Sequence, residues 1–165
     1  MASTDNGYTI VQRSLHWATV LLVFFNLLLP GNIEEVVDLL DEGKVPSASE
    51  MFPANIHIYA GIAILCLTLL RLAFRVVQGA PAAPAGEPAA FHLAGKISHG
   101  LFYAVLLLMP LLGIAKYYFG IDAAGDLHGG PMKVLLWALI GMHVAAVGVH
   151  QFYWKTNALA RMTRG

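Results

Sequence analysis

The chain has 165 residues, of which 58% are hydrophobic and only 12% charged, and its formal net charge is zero. A soluble domain carries about a quarter charged residues, so the composition excludes an ordinary soluble protein, and the neutral balance gives nucleic acid nothing to grip. The single cysteine, Cys66, excludes an internal disulfide and reads as a buried apolar filler, and no CxxCH motif is present for covalent haem attachment.

Four apolar runs follow one another along the chain. They are 8–29 (YTIVQRSLHWATVLLVFFNLLL), 56–77 (IHIYAGIAILCLTLLRLAFRVV), 97–119 (ISHGLFYAVLLLMPLLGIAKYYF) and 132–154 (MKVLLWALIGMHVAAVGVHQFYW). Each is close to the roughly 20 residues that cross a bilayer core. The first is followed by PGNIEE rather than a small-residue cleavage site, so it reads as a retained helix. Pro110 is expected to kink the third helix. Between the first two spans, EEVVDLLDEG in the acidic segment 31–55 predicts a short amphipathic helix on the membrane surface. Residues 79–90 form a Pro/Ala linker, and 120–131 (GIDAAGDLHGGP) a turn-rich loop. The expectation is an all-α, four-helix antiparallel transmembrane bundle forming one domain over 1–165.

With both termini on one side, that side holds Arg13, Arg71, Arg75, Lys96, Lys155, Arg161 and Arg164, and the other holds Lys44, Lys116 and Lys133. The cation excess places both termini in the cytoplasm. Aromatic clusters 117–119 and 152–154 close the last two spans at opposite interfaces.

Seven histidines stand in this apolar chain, at 16, 57, 92, 99, 128, 143 and 150. An ionisable residue inside a span marks a proton relay, a metal or haem ligand, or a substrate site. Depth sorts them into two level pairs, His16 with His143 near the cytoplasmic face and His57 with His128 near the outer face. Two stacked bis-histidine haems need this arrangement. A continuous helix separates His128 from His143 by about 22 Å of rise and turns them roughly 60° apart. Gly61, Gly100, Gly141, Ala145, Ala146 and Gly148 either let a flat macrocycle approach the backbone or let helices pack closely.

RSLHW at 13–17, NIHIYAGIAIL at 55–65, SHGLFYAVLLLMPLLGI at 98–114 and GMHVAAVGVHQFYWKTNALARM at 141–162 resemble the bacterial cytochrome b561 family. The resemblance runs through nearly the whole chain. It implies a di-haem b protein in which His16 and His143 ligate one haem and His57 and His128 the other. The chain departs from the family pattern in having one more residue than is common between the two histidines of the last helix, followed by GGPM.

Other residues carry two readings each. Arg13, Arg71 and Arg75 pair with haem propionates or simply set topology. His99 meets a propionate, lines a quinone pocket, or bonds a backbone carbonyl. His150 shuttles protons to a quinone, replaces His143 as ligand, or sits hydrogen-bonded to water at the interface. Lys116 and Lys133 draw a small anion such as superoxide to the outer haem or are plain snorkelling residues. The function expected is transmembrane electron transfer, oxidising superoxide outside and reducing ubiquinone. The alternative is a cytochrome subunit linking a periplasmic dehydrogenase to the quinone pool. A haem-free proton channel or transporter, and a structural membrane subunit, are the rivals outside redox chemistry.

Overall fold

The computed structural model describes residues 7–29, 33–82, 88–156 and 158–165. Among them the fold is entirely helical. The helices are α1 (Ile10–Leu28), α2 (Ile33–Asp41), α3 (Ala48–Gln78), α4 (Ala89–Phe119), α5 (Asp122–Leu127), α6 (Lys133–Gly148) and α7 (Ala158–Thr163). Wide π turns at His128–Met132 and Val149–Tyr153 continue α5 into α6 and extend α6. Four stretches are long and apolar enough to cross a membrane: α1, α3, α4, and the run Asp122–Tyr153.

Local chemistry sets the helix starts. Thr9 and Gln12 form a reciprocal capping box at α1, and Ser47 and Glu50 form another at α3. The second box starts α3 eight residues ahead of the apolar run, so the segment before His57 is helical rather than loop. Helix α4 likewise begins inside the expected Pro/Ala linker, whose residues 83–87 lie outside the described ones. Residues 30–32, just before α2, do too. The acidic helix α2 forms where the amphipathic pattern put it.

The expected loop at 120–131 is corrected: it is mostly helical. Gly120 ends α4 in the left-handed region (φ 64°) with its N–H donating to the Lys116 carbonyl at 2.9 Å. The chain then re-enters a helix at once, and the Gly129-Gly130-Pro131 stretch is absorbed in a π turn, the usual form for a local insertion in a helix. That turn carries His128 at its first residue.

The core is a cluster of Val23, Ile64, Val105, Leu106, Leu136 and Leu139, drawn from all four spans. Thr19 and Thr68 are buried beside it because each hydroxyl donates to the carbonyl four residues back, at 2.7 Å in both cases. Outward faces carry exposed Leu21, Leu69, Leu70, Val76 and Val144, an apolar surface that only lipid can cover. Cys66 is on that outer surface, which corrects the buried-filler reading. It stands two residues from buried Ile64 and two from buried Thr68, about 200° round the helix from each.

The first and last described segments lie at one end of the bundle. Thr9 donates to the side chain of Gln78 at 2.8 Å, Arg13 to the Thr163 carbonyl at 3.1 Å and Trp17 to the Met162 carbonyl at 3.0 Å. Arg13 and Trp17, one turn apart on α1, thus cap the open carbonyls of α7. At the other end, Lys116 joins three helices through Asp41 of α2 and Asp122 of α5, at 2.7 Å each.

Candidate functional site

The histidines fall into two groups at opposite ends of the bundle. At the terminal end, His16 of α1 faces His143 of α6, with ring centroids 6.5 Å apart. Toward the opposite end, His57 of α3 faces His128, with centroids 6.0 Å apart. These are the pairs expected from depth alone. Two imidazoles bound end-on to one metal, with bonds of about 2 Å each, hold their centroids about 6 Å apart. Among the described residues no group of three or more His, Cys, Asp or Glu side chains is arranged to hold a bare metal ion. Donors in twos are what an iron already held by four porphyrin nitrogens needs.

The surroundings fit a flat macrocycle. Helix α1 packs on α3, α3 on α4 and α4 on α6, but α6 meets α1 through rings, His143 with His16 and Trp137 with Phe24, rather than by close backbone approach. Nothing lies within 4 Å of where a side chain would start at Gly100, Gly141 or Gly148. Close helix packing therefore does not explain these three glycines. Gly61 alone of the glycines singled out touches a neighbour, the Asn26 amide at 3.9 Å.

The two pairs differ in what holds their rings. His128 has its Nδ1 2.7 Å from the Met109 carbonyl. A carbonyl only accepts, so Nδ1 carries the proton and Nε2 keeps its lone pair for a metal. Gly113, one turn beyond Met109, lies against this ring; a Cβ there would be 3.2 Å from Cε1, so the imidazole would have to shift by a few tenths of an ångström. The partner His57 has its Nδ1 buried with no hydrogen-bond partner, while Asn26 of α1 donates to its backbone carbonyl at 3.2 Å.

At the other end Arg71 donates to His16 Nδ1 at 3.0 Å. A guanidinium only donates, so here Nδ1 supplies the lone pair and the proton sits on Nε2. His143 is crowded by His99 at 5.9 Å and Phe102 at 5.5 Å between centroids, and Trp17 lies edge-on to His16 at 5.3 Å. Arg71 also lies over the Tyr103 ring, 5.9 Å from its centroid, and Arg75, one turn further, is close enough for its charge to act on His99. Arg13 is turned toward α7 by its bond to Thr163. His150 sits in the second π turn, its Nδ1 3.0 Å from the Thr156 hydroxyl and its ring 4.8 Å from Trp154.

Lys116 and Lys133, at the end away from the described termini, are unlike each other. Lys116 is held between two carboxylates, with its stem laid over Gly125 and its side chain only 14% exposed. Lys133 stands at the head of α6, close enough for its charge to act on His57.

Sequence reading missed Asn26, Gly113 and the Met109 carbonyl. A lone amide in VFFNLLL was a visible signal, since a polar side chain in a span needs a partner. Gly113 was visible only as one glycine among many, and a carbonyl's role has no sequence signature.

Comparison with known proteins places this arrangement. The chain is 33% identical over 161 residues to a cytochrome b562 of Cereibacter sphaeroides, with 97% of each chain covered. It is 27% identical to a probable superoxide oxidase CybB of Yersinia pestis, with 94% of each covered. It is 25% identical to cytochrome b561 homolog 1 of Escherichia coli, covering 95% of this chain and 97% of that one. The family described as prokaryotic cytochrome b561 matches residues 7–165. Two facing imidazole pairs in a four-span helical bundle, together with that match, make this multi-pass membrane protein a member of the prokaryotic cytochrome b561 family of electron-transfer cytochromes.

Proposed function

We propose that the chain is a single di-haem domain that moves electrons across the bacterial inner membrane, from superoxide at the outer face to ubiquinone. The observation that carries this reading is the spacing of the two imidazole pairs, 6.5 and 6.0 Å between centroids, at opposite ends of one bundle. His16 and His143 would hold one haem b, and His57 and His128 the other. When bound between two imidazoles, haem b exchanges single electrons and leaves no axial position for oxygen. In the overall reaction two superoxide ions each give up one electron and leave as oxygen. One ubiquinone takes both electrons with two protons and leaves as ubiquinol.

The residues divide this work. The cation excess at the terminal end supports a cytoplasmic location for both termini. Lys133, beside His57, would draw a small anion toward the outer pair. Lys116 would add little to that field, because Asp41 and Asp122 together more than cancel its charge. Arg71 and Arg75 supply cations for propionates at the inner end, and Arg13 reinforces them from α1. His99 beside His143, and His150 with Thr156, are titratable groups at the face where quinone reduction needs protons.

The pairing of Lys116 with two carboxylates, and the acidic face of α2 beside it, favours a second reading. In it the outer end docks a periplasmic dehydrogenase rather than collecting superoxide. A dithionite-reduced minus oxidised spectrum of the purified protein tests the shared part: b-type bands are expected, and their absence would leave a haem-free channel or structural subunit. Stopped-flow mixing with a superoxide pulse then separates the two redox readings. Rapid reduction supports superoxide oxidation; no reduction favours the dehydrogenase subunit.

A further inference from the structure

Among the described residues four buried side-chain atoms lack a hydrogen-bond partner: Arg13 Nε, Asn26 Oδ1, His57 Nδ1 and Gln151 Oε1. Two of the four belong to one pair of neighbouring residues. Asn26 lies near the end of α1 and already touches α3, donating through Nδ2 to the His57 carbonyl at 3.2 Å. Its amide nitrogen must face that carbonyl, because two oxygens would repel. The amide oxygen is therefore left over on a residue already bonded to the His57 main chain, and the His57 Nδ1 is also left over. One atom is an acceptor and the other can carry a proton.

A buried polar atom left unpaired costs about 1–3 kcal/mol, and an amide inside a membrane span is costly in itself. The two atoms are not bonded to each other in the structure; a hydrogen bond from His57 Nδ1–H to Asn26 Oδ1 would satisfy both at once. Its consequence for the ring is specific. The proton is fixed on Nδ1, so the lone pair stays on Nε2. His128 obtains the same setting from the Met109 carbonyl at 2.7 Å.

We infer that Asn26 is the positioning residue of His57, its side-chain oxygen taking for this ring the role that the Met109 carbonyl takes for His128. The inference rests on the reading that His57 and His128 hold the outer haem. An acceptor at the far nitrogen fixes ring orientation and raises ligand basicity, which favours the oxidised iron. Asn26 therefore lowers the outer haem's potential as well as holding the helices together. A mere helix-to-helix clasp would do only the latter.

The test uses the purified haem-loaded protein. The outer haem is identified as the redox wave missing from His128→Ala. In Asn26→Leu, which keeps the volume and removes the acceptor, the outer midpoint potential is expected to rise while the inner one stays put. Haem loss from the outer site to excess apomyoglobin is expected to quicken about ten-fold or more. In Asn26→Asp, which keeps the acceptor and makes it anionic, the outer potential is expected to fall below that of the parent. An unchanged outer potential in Asn26→Leu, or equal rises in both variants, overturns the inference. If Asn26→Leu does not accumulate, Asn26→Asp decides alone: a fall supports the inference, and no change or a rise refutes it. A parent protein with fewer than two haems would instead refute the di-haem reading, before either variant is compared.

Discussion

The His57–His128 and His16–His143 pairs, the proposed outer and inner sites, have nearly the same ring spacing but opposite hydrogen-bond settings. At the outer pair, an acceptor on His128 Nδ1 and a glycine against the ring leave Nε2 free and aimed. At the inner pair, the Arg71 donor occupies His16 Nδ1 and puts the proton on Nε2. A neutral imidazole has one proton and one available lone pair. The Arg71 bond and a bond to iron therefore exclude each other on His16, whichever nitrogen is used. On the proposed reading His128 is preset for its ligand, whereas His16 would need Arg71 to let go. An arginine freed in this way is well placed to meet an anionic group, the role the cation cluster suggests for it.

The largest expected effect is at the ligands. His128→Ala should remove the outer haem alone, halving the haem absorbance per protein, and His16→Ala should remove the inner one. Loss of both haems in each variant would break the picture of two separable sites. Next, Gly113→Val should force the His128 ring off its place against α4. About a ten- to hundred-fold weaker hold on the outer haem is expected, read as faster haem loss with the inner haem unaffected. An equal effect on both haems would mean that Gly113 serves general packing.

Arg71→Gln sharpens the inner half of the comparison. Removing a cation near the inner iron should lower its midpoint potential by the equivalent of about 1 kcal/mol, because positive charge favours the reduced form. Arg71→Lys should retain most of the parent value. No shift in either variant would place Arg71 away from the inner haem once loaded. The smallest effect concerns the outer lysines. Lys133→Gln should slow reduction by superoxide several-fold at low salt, and Lys116→Gln less, with both differences fading as ionic strength rises. Equal and salt-independent rates would remove the lysines from the account.

The spans and the histidine pairing were legible in the sequence because both depend on simple periodicities. Twenty apolar residues measure a bilayer, and position along a helix gives depth. The start of α3 was legible too, in the S-x-x-E box at 47–50, but the apolar run at 56–77 drew the boundary inward. Segment 120–131 read as a loop because Gly and Pro usually break helices, yet a π turn accommodates them and delivers His128 to His57. Asn26, Gly113 and Arg71 act through which atom faces which nitrogen. Residue types do not encode that, because an asparagine oxygen and an arginine donor become opposite instructions only after the helices have packed.

The haem content of the purified protein tests the central claim most directly. Two haems b per chain, falling to one in His128→Ala and to one in His16→Ala, is the predicted result. A parent ratio of one or zero would contradict an account in which both imidazole pairs grip iron.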